Sequence, residues 1–168
     1  MSFLDFTKDR HSVRGYTNRI IEPEKLADIL EAGRIAPTAN NNQPHRIKVI
    51  TGPADLSKVD ECTPCRFGAS TVLLVCYDKS ISWKRNFDGA DSGAIDASIV
   101  TTYLMLAAHE AGLGSCWVMY FDPAKTSELF ALPENVVPMA FLPIGYPAKD
   151  AVPTQPYDQR FALEQILL

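Results

Sequence analysis

Apolar and polar positions follow two different rhythms along this chain. Leu26, Ile29, Leu30 and Gly33 recur at helical spacing, with Ala27, Ala32 and Ala36 filling the gaps. Glu22-Pro23-Glu24 opens that helix, because proline suits the first turn and acids suit its positive end, and Pro37 ends it. A longer helix is predicted from Ser92 to Ala111. Its apolar positions (Ile95, Ile99, Val100, Tyr103, Leu104, Leu106, Ala107, Ala108 and Ala111) cover most of the circumference. A helix apolar nearly all round is buried on more than one side, which predicts contact with a partner subunit. Gly112 is placed to end it in the left-handed conformation. Shorter helices are predicted over residues 3–9 and 53–61 and from Asp122-Pro123 to Leu132. Residues 46–51 alternate as a strand, 71–77 form a wholly apolar one, and 114–120 and 136–144 complete the set. Residues 80–93 have no regular pattern, and the tail 147–168 ends apolar, as a segment lying across another subunit would. The mixed order of elements predicts an α+β fold around a sheet of four or five strands.

Composition narrows the picture. The 168 residues fit a single domain spanning 1–168, and 46% hydrophobic residues are enough for a core without disulfide or metal staples. With 16 Lys+Arg against 20 Asp+Glu the net charge is −4, which argues against a nucleic-acid partner. No apolar run approaches the ~20 residues of a membrane span. The first residues carry an early acid and lack a basic stretch before an apolar core, so no signal peptide is expected and the cytoplasm is the predicted compartment. Cys62, Cys65, Cys76 and Cys116 then read as reduced thiols.

The densest basic cluster is Arg10-His11-Ser12-Val13-Arg14. In extended form it places Arg10, Ser12 and Arg14 on one face, a set of donors suited to phosphate; a solvated surface cluster is the plainer alternative. The loop Thr38-Ala39-Asn40-Asn41-Asn42-Gln43-Pro44 offers amides to a heteroaromatic edge or a polyol, or is simply a turn. Cys62-Thr63-Pro64-Cys65 has redox spacing but follows a helix, and no second pair completes a zinc site, so no metal is expected. His11, His45 and His109 make no recognisable triad, and Gly112-Leu113-Gly114 is a helix stop rather than a dinucleotide fingerprint.

Four blocks in order resemble the nitroreductase family of flavin-dependent oxidoreductases, over nearly the whole chain. Asp9 through Arg14 is similar to its amino-terminal flavin-phosphate motif, and Ala36 through Pro44 to its Pro-Ser-Ser-x-Asn-x-Gln-Pro loop. Asp96 through Trp117 is similar to its central helix and Gly-Leu-Gly-Ser-Cys-Trp strand, and Leu132-Pro133 with Gly145-Tyr146-Pro147 to its closing pattern. The resemblance implies an intertwined homodimer, a central mainly antiparallel sheet flanked by helices, and one FMN at each of two interface sites. Arg10, Ser12 and the adjoining His11 would meet the phosphate end, with Arg160 as the carboxy-terminal contact. Arg14 would stand near the N1–O2 edge of the ring, where positive charge stabilises reduced flavin. Pro37, Thr38, Asn41 and Gln43 would reach over from the partner. Val118, Met119 and Tyr120 would line the ring, with an N–H of Met119 or Tyr120 facing N5.

NADH or NADPH would supply hydride, and a nitroaromatic, quinone or activated alkene would accept it in a ping-pong cycle that needs no catalytic side chain. Arg10, Arg14, Lys84 and Arg85 would make a positive mouth for the nicotinamide donor, and Trp83 and Phe87 would line the acceptor pocket. Two departures stand out: Ala39 replaces the second serine of the family loop, and His45 the usual tryptophan. Arg66 is a candidate stand-in for a missing basic contact. Three other readings stay open: a flavin enzyme using O₂ or removing a halogen, a non-enzymatic flavin carrier or sensor, and a thiol redox protein built on Cys62 and Cys65.

Overall fold

The computed structural model describes residues 2–151, 153 and 159–168. A four-stranded sheet forms its centre, with β1 (His45–Ile50), β2 (Thr71–Asp78), β3 (Gly114–Ser115) and β4 (Val136–Gly145) in the order β1-β2-β4-β3, every neighbouring pair antiparallel. β2 and β4 are central and buried on both faces, which is why they read as unbroken apolar runs. Along β2, Leu73 and Val75 face one apolar cluster while Val72, Leu74 and Cys76 face another, the period-2 alternation of a strand. The first face is covered by α2 (Pro23–Arg34) and α4 (Gly93–Glu110), the second by α3 (Pro53–Cys62) and α5 (Pro123–Leu129). The helix α1 (Phe3–Asp9) precedes them, closed at its start by a Ser2–Asp5 capping box.

α4 positions the rest. Ala97, Val100, Leu104 and Ala108 lie on the sheet at three- and four-residue spacing. Val100 and Leu104 therefore belong to this chain's own core, and what α4 leaves outward is a different set. Ile95 is 65% exposed and Tyr103 38%. At its N-terminal end Gly93 lies against the Tyr77 ring, with no room for a Cβ. At its C-terminal end Gly112 adopts φ +76°, the expected left-handed stop, and the Lys25 ammonium caps the Ala111 carbonyl at 2.9 Å.

Two boundaries differ from expectation. The third strand ends at Ser115 instead of 120: beyond it the chain meets β4 only in separate contacts, a bond from the Cys116 N–H to the Pro143 carbonyl at 3.2 Å and paired bonds between Val118 and Phe141. The fifth helix ends at Leu129 instead of Leu132, because Ala131 turns to φ +49°. Among the described residues no helix is long and apolar enough to cross a membrane.

Candidate functional site

Beyond α1 the chain is extended and joins the open edge of the sheet beside β3. Ser12 bridges Ser115, and the Val13 N–H donates to the Ser115 carbonyl at 2.9 Å. The buried Tyr16 hydroxyl ties the segment down, shared between the Val13 carbonyl at 2.9 Å and that of Pro143 at 3.1 Å. Close approach requires Gly114, where a Cβ would stand 2.6 Å from the Val13 side chain. With Val13 committed to the core, Ser12 and Arg14 stay outside it, as the alternation predicts.

The arginines gather here. Arg10 is half-buried, and burial together with the charge of Arg160 holds its guanidinium below the usual pKa. Neither Arg10 nor Arg160 pairs with a carboxylate among the described residues; Arg160 donates only to the Gln159 carbonyl, at 2.7 Å. Burial raises the pKa of the buried Cys116 thiol, opposed by the nearby charges of Arg14 and Arg10 and by Ser12. His11 turns its Nδ1 to the Asp9 carbonyl at 3.2 Å, and with Asp9, Arg10, His109 and Gly114 it lines a cleft of about 290 Å³. On the same edge, Val118 spends its N–H on Phe141, while Met119 and Tyr120 are 68% and 76% exposed. The N–H groups of Met119 and Tyr120 meet no acceptor among the described residues.

A second group lies elsewhere. The loop from Pro37 to Pro44 packs on the N-terminal end of α4, where the Ala39 N–H donates to Asp96 Oδ1 at 2.8 Å. Ser92 donates to the other oxygen of Asp96 at 2.7 Å, and Asp96 is 1% exposed. Inside the loop the Thr38 hydroxyl accepts the Gln43 N–H at 3.1 Å, and Asn40, Asn41 and Gln43 all adopt positive φ, a conformation asparagine tolerates better than most residues. That geometry leaves Pro37, Asn41 and Gln43 exposed. The exit is anchored by Asp78, which takes the hydroxyl and N–H of Ser80, the Asn135 amide and the Arg46 guanidinium; these bonds, Ser80's foremost, hold its pKa down at about 2. His45, at the same exit, has its pKa lowered by burial, and its Nδ1 meets no hydrogen-bond partner among the described residues.

The two groups stand at opposite ends of α4. Asp96, which holds the loop, and His109, which lines the arginine cleft, are thirteen residues apart, about 20 Å at ~1.5 Å per residue. One chain does not bring the predicted residues together.

Residues 82–92 make a narrow hairpin whose tip carries Phe87, 97% exposed; Trp83 stands at its base. The hairpin corrects one expectation. Lys84 pairs with Asp91 at 3.0 Å and Arg85 with Asp88 at 2.6 Å, so these cations are neutralised locally and make no positive mouth. Arg66 is likewise committed, to Asp60 at 2.7 and 2.8 Å and to the Ala69 carbonyl at 2.8 Å, where it closes its own loop.

Known proteins give this geometry its context. The model of the nitroreductase family matches residues 7–63 and 61–146. The chain belongs to the nitroreductase family. A protein of Archaeoglobus fulgidus, named as a candidate NADH dehydrogenase/NAD(P)H nitroreductase, is 33% identical over 94% of this chain and 91% of its own length. The crystal structure of a nitroreductase family protein of Clostridium difficile superposes with a TM-score of 0.94 at 40% identity, covering 100% of this chain and 98% of the other. A structure named as a candidate nitroreductase of Desulfovibrio desulfuricans in complex with FMN superposes at 0.81 with 27% identity, covering 98% and 94%. The helices on an antiparallel sheet described above are thus a nitroreductase fold.

Two guanidinium groups drawn together without a carboxylate between them, beside a serine hydroxyl, form a donor set for a dianion. The residues that organise the other end, Asp96 and Asp78, were not singled out for a role from sequence. The signal was an acid interrupting an apolar helix and an acid ending an apolar strand, since such charges are buried only when bonded.

Proposed function

We infer that this chain is an NAD(P)H-dependent flavin oxidoreductase that holds FMN in the seam between two copies of itself. The observation that carries the reading is the separation of the two donor groups along α4. In a twofold pair with the helices reversed, the amide loop of one copy meets the arginine end of the other. The surface for such pairing is available. A groove of about 600 Å³ between α1, α2 and α4 is lined by Phe3, Phe6, Ala32, Tyr103, Leu106 and Ala107, and Ile95 extends the apolar strip along α4.

In that pair Arg10, Ser12 and Arg160 hold the phosphate, with His11 at the rim of the cleft. Arg14 places positive charge beside the ring, Val118 backs it, and Met119 and Tyr120 offer their open N–H groups to its edge. Pro37, Thr38, Asn41 and Gln43 are lent by the partner. Bound there, FMN would supply the hydride chemistry that links NADH or NADPH to an electron-poor acceptor such as a nitroaromatic, quinone or activated alkene. The protein's own task is binding, orientation and charge, which is why no base or nucleophile is needed. Trp83 and Phe87 are assigned to the acceptor side.

The test begins with colour and size. The purified chain is expected to be dimeric and yellow, with flavin absorbance near ~450 nm that bleaches anaerobically on adding NADH or NADPH. Varying donor and acceptor together should give the parallel reciprocal lines of a ping-pong cycle. A colourless chain that takes up no added FMN overturns the reading. A Cys62→Ser/Cys65→Ser double variant should bleach normally; loss of bleaching with flavin still bound would move the electron path to the thiols.

A further inference from the structure

The strip that carries Arg14 is pinned on both sides of that residue. On one side the Val13 N–H donates to the Ser115 carbonyl, and the Val13 carbonyl accepts the Tyr16 hydroxyl. On the other, the Gly15 carbonyl accepts the Ala148 N–H at 3.0 Å, Tyr16 bridges Pro147, and the Thr17 N–H donates to the Tyr146 carbonyl at 2.9 Å. Arg14 is thus presented from a backbone strung between β3 and the segment that leaves β4. Tyr146 anchors the second side with its side chain as well as its backbone. The half-buried residue donates its hydroxyl to Glu22 Oε2 at 2.5 Å and accepts from Lys25 Nζ at 3.0 Å, the ammonium that also caps Ala111. The Arg19 guanidinium lies 3.9 Å from the centre of the ring and donates to Glu22 Oε1 at 2.6 Å. Glu22 stands at the N-cap of α2 yet makes no cap bond with its side chain. Its carboxylate goes to Tyr146 and Arg19 instead, and those bonds, the one from Tyr146 foremost, hold its pKa down at about 2. One phenol therefore joins the strip to the start of α2 and the end of α4.

We propose that Tyr146 is a positioning residue: through Glu22 and Lys25 it fixes the strip that carries Arg14, and so aims the Arg14 charge at the ring of the flavin. The role rests on the function inferred above, in which Arg14 stands beside that ring. Tyr146 acts through the arginine and needs no contact with the flavin. Losing the hydroxyl leaves the backbone bonds of residues 15–17 in place but frees the segment after β4 to shift against α2 and α4. The strip moves with it, because Gly15 and Thr17 are bonded to Ala148 and Tyr146. The pull of a charge falls with distance, so such movement weakens what Arg14 contributes. The ring alone cannot replace the hydroxyl: it keeps the Arg19 contact, but gives Glu22 no donor and Lys25 no acceptor.

The experiment is a double-mutant cycle on the full chain, read as FMN affinity by equilibrium dialysis beside thermal unfolding. Tyr146→Phe should weaken FMN binding about fivefold, the size of one ordinary net hydrogen bond. Glu22→Leu removes the same bond from its other end and should give a similar loss. In an Arg14→Ala background, which binds FMN less tightly from the start, Tyr146→Phe should weaken binding no further, because the group it positions is gone. A merely structural role would lower the unfolding temperature and weaken FMN binding by the same factor whether or not Arg14 is present. Equal losses in both backgrounds, an unchanged affinity in Tyr146→Phe, or a Glu22→Leu that binds FMN as the wild type does would each overturn the proposal. With any of those results the flavin reading stands, since the wild type still binds; a wild type that binds no FMN overturns that reading and this role with it.

Discussion

The N-terminal end of α4 is electrostatically closed and the C-terminal end is open. At the first, Asp96 is saturated by Ala39 and Ser92, and Asp78 by Ser80, Asn135 and Arg46. The amide loop is a rigid presenter: its own bonds hold three non-glycine residues in the left-handed region. At the second, Arg10 and Arg160 repel one another, and two consecutive N–H groups at Met119 and Tyr120 have no acceptor among the described residues. A complete network lends; an incomplete one receives. Under the proposed function the contrast supplies a reason for pairing two copies: the rigid donor of amides and the unsatisfied cradle of positive charge are about 20 Å apart on one helix.

The sharpest way to break this comparison is complementation. A chain with Arg10→Ala and Arg160→Ala, and another with Thr38→Ala and Asn41→Ala, should each lose FMN. Mixed, unfolded together and refolded, they should recover about a quarter of the wild-type sites, because half the pairs are mixed and each mixed pair carries one intact site of two. No recovery would place all four side chains in a single chain's site.

Much of this architecture was legible beforehand, and the gaps have physical causes. The stop at Gly112, the proline-opened α2 and the apolar β2 and β4 follow from local rules, and the structure reproduces them. The outward face of α4 did not follow. A helix apolar on every side gives no periodic cue to which stripe meets the sheet, and Val100 turned inward where Ile95 turned out. β3 was overdrawn because its ladder with β4 turns irregular after Ser115, resuming only as separate bonds at Cys116 and Val118. The positive mouth failed for a similar reason: Lys84 and Arg85 find Asp91 and Asp88 only once the hairpin closes.

Single substitutions at the open end sharpen the contrast. Arg10→Ala removes a charge-assisted contact of about 1.5–3 kcal/mol, so FMN affinity should fall roughly 10–100-fold by equilibrium dialysis. An unchanged affinity would remove Arg10 from the site. Gly93→Ala and Gly114→Ala probe the two ends by the same chemistry. Each inserts a methyl where the Tyr77 ring or Val13 already stands, at a cost of about 1–3 kcal/mol in thermal or denaturant unfolding. Gly114→Ala should also weaken FMN binding in the folded protein, since Val13 lies between Ser12 and Arg14. Gly93→Ala should disturb binding only through the partner's loop, and equal effects on the wild-type half of a mixed pair would contradict the division of labour.

The smallest effects are on the acid side, and they belong to the closed end. His45 titrates near 6.5 in an unfolded chain, and burial lowers that value in the fold. Between the two values the unfolded state binds more protons, so the stability contributed by neutral His45 is complete above 6.5 and is lost as pH falls through the lowered pKa. Asp78 has the same sign in a lower window: its contribution is complete above 3.8 and is lost as pH falls toward about 2. Stability measured against pH should therefore show two descending steps. His45→Gln should flatten the upper step alone and Asp78→Asn the lower. Neither step should change when Arg10 or Arg160 is replaced, since neither bonds His45 or Asp78. If Arg10→Ala altered the upper step, the two ends of α4 would be coupled through the fold, and the picture of a closed presenter and an independent open cradle would fail.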